Sequence, residues 1–244
     1  MPQRVLLIGG SGGIGTALAT LLVAGGDRVF LAARSADRLA AVATRLDMPF
    51  ATLDASDPDA LDACADQAAT ALGGLDGVVN CAGSLLLKPA HLTTTAEWQA
   101  TLAANLSSAF GCVRAAGRLL KAEGGSVVLV SSAAARVGLA NHEAIAAAKA
   151  GIIGLVLSAA ATYAKQKVRF NAVAPGLVRT PLSKGLLSSE LAEKASVGMH
   201  PLGRLGEPDE VAAAIQWFLD PAQGWITGQV LGIDGGLADL RGRA

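Results

Sequence analysis

The stretch RVLLIGGSGGIG, Arg4 to Gly15, decides the fold. Five residues rich in Val, Leu and Ile end at Ile8. Five of the next seven are glycine, and an Ala- and Leu-rich run follows. An apolar run without polar alternation suits a strand buried on both faces of a parallel sheet. A glycine cluster between such a strand and a helix makes a tight turn and lets bare backbone approach a pyrophosphate. It ends at a helix N-terminus, whose N–H groups favour an anion. Gly9, Ser11, Gly12, Gly13, Ile14 and Gly15 are therefore expected to hold a nucleotide; a plain turn is the other use of so many glycines.

Outward from this turn, short apolar runs alternate with Ala-rich stretches to the end of the chain. Strands are expected at Arg4–Ile8, Arg28–Ala32, Phe50–Asp54, Gly77–Cys81, Ser126–Ser131, Arg169–Val173 and Gln229–Ile233. Helices are expected near 13–25, 36–46, 58–71, 96–122, 142–165 and 207–219. This alternation predicts a single doubly wound, Rossmann-like α/β domain over residues 1–244, its parallel sheet flanked by helices. Asp57, Asp59 and Asp62 suit the first turns of a helix, where the dipole favours acids. Two stretches break the rhythm: the loop 84–95, with Leu85, Leu86 and Leu87, and residues 181–206. The second follows the sixth strand at the end where such sheets bind ligands, and is expected to be a lid or substrate segment; a passive surface loop is the alternative.

Composition narrows the classes. The chain has 244 residues, 20 Lys+Arg against 20 Asp+Glu, 52% hydrophobic and 16% charged residues. That much apolar content and zero net charge exclude a disordered chain. No basic run exists, which argues against nucleic acid and anionic membrane surfaces. The apolar run Ala150–Ala164 is short of the roughly 20 residues of a membrane helix. The N-terminus runs straight into a strand, without a signal-peptide layout. Cys64, Cys81 and Cys112 are odd in number and widely spaced, so neither a disulfide framework nor a metal site is expected, and the compartment reads as reducing cytoplasm. Mean hydropathy of +0.44 is high and suggests apolar surface hidden between subunits.

The spacing Gly9-x3-Gly13-x-Gly15 after the first strand resembles the short-chain dehydrogenase/reductase family. Further stretches are similar to that family in order: Asp54 at the third strand, NCAG at 80–83, NLSSAF at 105–110, VLVSSAA at 128–134, AAAK at 146–149, VAPGLVRTPL at 173–182, then GRLGEPDEVA and TGQVLGIDGG. The resemblance covers essentially the whole chain. It departs mildly at Ile8, where the family usually has Thr. It implies seven strands in the order 3-2-1-4-5-6-7, a nicotinamide cofactor, a small carbonyl or alcohol substrate, and a homodimer or homotetramer through the helices 96–122 and 142–165. It also implies that Asp54 and Ala55 hold the adenine, that Asn80, Ala82 and Gly83 line the cofactor, and that Pro175, Gly176, Val178 and Thr180 lie over the nicotinamide.

Binders of NAD in this fold place an acid at the end of the second strand, for the ribose 2′-OH. Here that end reads Ala33-Arg34-Ser35. An arginine pairs bidentately with a 2′-phosphate, so NADP is favoured. An Arg34 that is solvated, or stacked on adenine, would admit NAD as well.

Carried across from the family, Ser132 positions the substrate oxygen, Asn105 supports a proton relay, and Lys149 holds the ribose. The family's proton donor is a tyrosine four residues before that lysine, on the same helix face. Four residues before Lys149 stands Ile145, which has no proton to give. The only tyrosine, Tyr163, lies about 20 Å further along the same helix and is expected to pack, its hydroxyl satisfied. Three explanations remain open. His142, three residues before Ile145 on the same face, donates the proton, since histidine titrates near neutrality; Glu143 is the neighbouring alternative, about 100° around the helix. Or the chain binds NADP without redox turnover, as a sensor or inactive partner subunit. Or Lys149 or a bound water supplies the proton. Asn141 is expected to cap this helix, and His200 to line the substrate mouth.

Overall fold

The computed structural model describes residues 2–240. Seven strands form one sheet: β1 (Arg4–Ile8), β2 (Arg28–Ala33), β3 (Phe50–Thr52), β4 (Gly77–Asn80), β5 (Gly125–Val130), β6 (Val168–Pro175) and β7 (Val230–Ile233). Their order is β3-β2-β1-β4-β5-β6-β7, as the resemblance implied, and every pair is parallel. β1 sits centrally, with Leu7 opposite Leu31 on one side and Val79 on the other.

The helices are α1 (Gly13–Ala24), α2 (Ala36–Leu46), α3 (Pro58–Leu72), α4 (Thr95–Leu102), α5 (Ser108–Leu119), α6 (Glu143–Tyr163), α7 (Glu190–Gly198) and α8 (Pro208–Leu219). They cover both faces because successive strand residues point to opposite sides. Leu6 and Ile8 of β1 join an apolar layer with Leu61 of α3, Cys112 of α5 and Val156 of α6. Val5 and Leu7 join a second layer with Leu18 and Leu22 of α1, Leu39 of α2 and Phe218 of α8. All are buried, each of the large ones worth about 1.5–3 kcal/mol. Asp57 caps α3 through the N–H groups of Asp59 and Ala60, while Asp59 and Asp62 pair with Arg114 of α5.

Four expectations need correction. β3 stops at Thr52, so Asp54 lies in the turn beyond it, where its carboxylate accepts from the backbone and hydroxyl of Ser56. The helix expected over 96–122 is two helices, separated by a π-helical turn at Ala103–Ser107. Asn141 does not cap α6: its φ of 64° is left-handed, and His142 occupies the cap position without a side-chain cap bond. Residues 181–206 are not irregular throughout. They hold α7, capped by Ser189, and close at the base where Arg179 N–H donates to Gly206 O (2.9 Å) and Gly206 N–H to Leu177 O (3.0 Å). α7 buries none of its residues, so it shows no apolar stripe to read.

α6 runs well beyond the apolar stretch 150–164. With the turn after it, residues 143–166 are long and apolar enough to cross a membrane by length and composition. Here the helix packs against β5 and β6, and its buried side carries Ile152, Val156 and Lys149. Tyr163 at its end tilts against Phe170, ring centroids 5.5 Å apart, with its hydroxyl over Gly117.

Candidate active site

The glycine turn opens a cleft at the carboxyl ends of β1, β2 and β4. Gly9 has φ 81°, and a Cβ there would stand 2.6 Å from Ala82 N. A Cβ on Gly13 would meet Thr180 Cγ2 at 2.8 Å, and one on Gly15 would overlap the carbonyl of Gly9. Only glycine fits at these approaches. α1 starts without a side-chain cap and without an acid in its first turn. Its first N–H groups are thus left for an anion in the cleft.

The cleft is about 360 Å³. Gly9, Ser11, Gly12, Gly13, Ile14 and Gly15 form one wall; Ala33, Arg34, Ser35, Asp54 and Ala55 form the far end; Ala82, Gly83 and Thr180 close the near end. The remaining expected cofactor residues do not line it. Asn80 is buried beneath, its Oδ1 accepting from Ala82 N–H (2.9 Å) and its Nδ2 donating to Ser108 Oγ (3.1 Å). Pro175 is buried at the end of β6, Val178 is buried beside Gly206, and Gly176 lies against His200.

The far end carries a residue the sequence reading passed over. Arg38 lines the cleft one helical turn after Arg34, and neither arginine pairs with a carboxylate among the described residues. Their i, i+4 spacing was the available signal. Asp54, held below the ordinary carboxylate range by Ser56 and also by Arg34, is the only acid lining the cleft among the described residues. Two guanidinium groups beside an otherwise acid-poor end suit a phosphate.

Behind Gly83, at the other end, lies Lys149. It is buried, its Nζ donates to Val130 O (2.8 Å), and no carboxylate reaches it. Burial pushes its pKa down to about 8. The same burial pushes the neighbouring Cys81 thiol up to about 12. The two serines after β5 divide their work. Ser131 is buried and donates to Lys149 O (2.8 Å), which anchors α6; Ser132 is half-buried, and its Oγ accepts from Ala134 N–H (3.1 Å).

Asn105 sits fully buried inside the π-helical turn. Such single turns accommodate one extra residue and re-aim the side chains around it. Asn105 Nδ2 donates to Thr101 O (2.9 Å) and Ser84 Oγ (3.0 Å), and Oδ1 accepts from Ser84 N–H (3.3 Å). The side-chain amide is thus a brace between the helix and the loop 84–95. A Cβ on Gly83 would stand 2.7 Å from Asn105 Oδ1 and 3.5 Å from Lys149 Nζ, so both groups converge on that glycine.

At the start of α6, Ile145 is buried and belongs to neither apolar layer. His142, one turn before it, is half-buried. Its Nδ1 lies 2.7 Å from Ala140 O, which assigns the proton to Nδ1 and leaves Nε2 unoccupied. Glu143 is exposed and lines a separate small cavity with Trp98. His200 is on the wall of a separate cavity of about 300 Å³, which it shares with Gly176, Arg204, Glu210 and Asp234. It is buried 3% exposed, with Nδ1 2.8 Å from Ser196 O and Nε2 3.1 Å from Leu177 N.

A glycine-walled cleft at the carboxyl ends of a seven-stranded parallel sheet, with a buried lysine behind its near end, defines a nicotinamide-type oxidoreductase. The chain belongs to the short-chain dehydrogenase/reductase family and is an oxidoreductase of that type: a family model described as Enoyl-(Acyl carrier protein) reductase matches residues 9–238. Among its relatives, the cis-4-hydroxycyclohexanecarboxylate dehydrogenase of Sinomonas cyclohexanicum is 38% identical over 241 residues, covering 96% of each chain. A short-chain type dehydrogenase/reductase structure from Mycobacterium ulcerans matches with TM-score 0.93 at 30% identity, over 99% of this chain and 92% of that one. ElxO, solved with NADP bound, matches with TM-score 0.91 at 28% identity, over 98% of this chain and 100% of its own; a Tyr-to-Phe variant of ElxO with NADPH bound matches equally well.

Proposed function

We propose that the protein is an NADP-preferring oxidoreductase that interconverts a small carbonyl compound and its alcohol, with His142 as proton donor in place of the family's tyrosine. The observation that carries the cofactor choice is the far end of the cleft. It presents Arg34 and Arg38 where an NAD binder of this fold has an acid. ElxO supports the same cofactor, and its Tyr-to-Phe variant supports binding of the reduced form with one tyrosine hydroxyl fewer.

When bound, the cofactor supplies hydride to the carbonyl carbon. The chain supplies the rest. Arg34 and Arg38 take the 2′-phosphate, the α1 N-terminus takes the pyrophosphate, and Asp54 and Ala55 flank the adenine. Lys149, kept from solvent behind Gly83, holds the ribose hydroxyls. Ser132 Oγ donates to the substrate oxygen, and His142, as an imidazolium protonated on both ring nitrogens, gives that oxygen its Nε2 proton and is left as the neutral ring, while the Nδ1 bond to Ala140 O holds the ring. Asn105 keeps the loop 84–95 in place beside Lys149. Residues 181–206 form the lid, and Leu85, Leu86 and Leu87 line its apolar side. The chain works as one domain and as a homodimer or homotetramer, which would cover the half-exposed Phe110 of α5 and Leu157 of α6. Three unpaired cysteines accord with a cytoplasmic setting.

The test is binding followed by turnover. NADPH at 100 times its dissociation constant should stabilise the fold by about 2.7 kcal/mol, which raises the melting temperature by roughly 5–10 °C in a chain of this size. Oxidation of NADPH should then follow with members of a panel of small ketones and aldehydes. Binding without turnover on any of them makes the protein a nucleotide-binding partner rather than a catalyst. No thermal shift with NADPH or NADH removes the cleft from the reading altogether.

A further inference from the structure

His200 is a buried polar side chain with no part in the proposed chemistry. It follows α7 in the lid segment, yet it reaches back to the end of β6. Nε2 accepts a hydrogen bond from Leu177 N–H (3.1 Å), and Nδ1, facing the Ser196 carbonyl at 2.8 Å, carries the ring proton. A backbone N–H can only donate, and a carbonyl can only accept. Both ring positions are therefore assigned by their neighbours: the ring is neutral, protonated on Nδ1. The fit is close. A Cβ on Gly176 would stand 2.7 Å from His200 Nε2, so glycine at 176 is what lets the imidazole lie against the backbone.

We propose that His200 is a positioning residue, whose neutral imidazole clamps the lid helix α7 to the turn Pro175–Gly176–Leu177, and so steadies the stretch that leads from this turn to Thr180 at the near end of the cleft. This rests on the proposed cofactor site. The other ties of the segment are an exposed ion pair between Glu193 of α7 and Arg179, and backbone bonds at its base. Arg179 N–H and Gly206 N–H close the bridge between Val178 and Gly206, and Leu202 N–H donates to Gly235 O (3.0 Å). His200 bonds the turn after β6, at Leu177, to α7, at Ser196, through its two ring nitrogens.

The clamp has a chemical consequence. A second proton on the ring would put an N–H on Nε2, facing the N–H of Leu177, and two donors cannot share that place. The neutral ring therefore closes the clamp, and its protonation opens it. The charged groups around it are already committed. Asp234, after β7, accepts from Gly236 and Ala238 N–H; Arg204 and Glu210 pair across the same cavity; Glu193 of α7 pairs with Arg179; Glu190 and Lys194 of α7 pair with each other. Release thus shows as a pH dependence of lid mobility that follows one histidine.

Hydrogen exchange of the full chain tests this directly, with and without NADPH. In wild type, the protection of amides 190–203, taken relative to the intrinsic exchange rate at each pH, should fall about tenfold once the ring is protonated, the worth of one hydrogen bond. His200→Gln places an amide oxygen near the Nε2 position and has no ring proton to gain, so its lid should stay protected without the acid limb. His200→Asn keeps only the bond to Ser196 and should be mobile at every pH. If either variant folds poorly, nitrogen-15 imidazole spectra of wild type decide: His200 must show the Nδ1–H tautomer with Nε2 accepting. An Nε2–H tautomer, or lid exchange indifferent to pH in wild type, overturns the clamp. Because the clamp is made by the chain's own groups, these results stand even if NADPH fails to bind, and that failure would instead strike the proposed cofactor site.

Discussion

At the glycine end of the cleft the close approaches are made by backbone. Gly9 faces the amide of Ala82, Gly15 faces the carbonyl of Gly9, and the open N-terminus of α1 supplies unspent N–H groups. At the α6 end the approaches are made by side chains: Lys149 on the Val130 carbonyl, Ser131 on the Lys149 carbonyl, Asn105 clasped to Ser84. The first end conforms to its family pattern with one mild departure at Ile8. The second carries Ile145, buried, four residues before Lys149. On the roles proposed above, holding the cofactor and moving the proton are separable. Backbone geometry tolerates nothing but glycine at its tight points, whereas a single side chain can be exchanged while the surrounding braces persist.

The sharpest way to break the comparison is at the proton. His142→Ala should lower turnover by about 10²–10⁴ and leave NADPH affinity intact, since general acid catalysis contributes on that order. Unchanged turnover removes His142 from the mechanism. The companion change, Ile145→Tyr, restores a phenol one turn before Lys149. A folded, NADPH-binding Ile145→Tyr protein whose activity rises on a carbonyl panel shows that the missing hydroxyl was the limit; overpacking by about 1–3 kcal/mol makes folding the first check.

Arg34→Ala addresses the other end. Loss of a charge-assisted pair should weaken NADPH about tenfold to a hundredfold, with NADH nearly unaffected. Arg38→Ala should act in the same direction. Titration calorimetry separates the outcomes: equal weakening of both cofactors places Arg34 on the adenine and not on a 2′-phosphate.

The smallest effect concerns stability. Lys149 is depressed from 10.5 to about 8 by burial, so between those values the unfolded chain binds more protons than the folded one. Stability contributed by this group therefore rises with pH across that window, and at pH 7 the folded chain bears the cost of a buried ammonium, about 3 kcal/mol. Lys149→Met keeps the volume and removes the charge, but strands the Val130 carbonyl at a cost of about 1 kcal/mol. Net stabilisation near 2 kcal/mol at pH 7, turning into net destabilisation of about 1 kcal/mol above pH 10.5, should accompany loss of activity. A melting temperature that falls at pH 7 would mean that the ammonium is better compensated than its single carbonyl bond indicates.

The alternation of apolar runs and Ala-rich stretches was enough to give seven strands and most of the helices, because burial on both sheet faces writes itself into composition. The glycine turn was equally legible, since close backbone approach admits one residue type. Ile145 could also be read directly, by its spacing from Lys149. What the linear pattern lacked was any sign of the π-helical turn: Ala103–Ser107 carries the same small residues as the helices beside it, and only the clasp of Asn105 on Ser84, 21 residues earlier in the chain, shows what the turn accomplishes. α7 escaped for the opposite reason, as an exposed helix without an apolar stripe.

The sequence by itself therefore determined the sheet, the nucleotide-type turn and the absence of a tyrosine at 145, because each is a matter of local residue type and period. Only the tertiary structure decided that Arg38 shares the cleft with Arg34, that Ser131 anchors α6 while Ser132 stands half-open, and that His200 turns inward to Leu177. Those assignments depend on which distant backbone groups need a donor or an acceptor once the chain is packed. A hydrogen bond across 23 residues leaves no trace in the residues between.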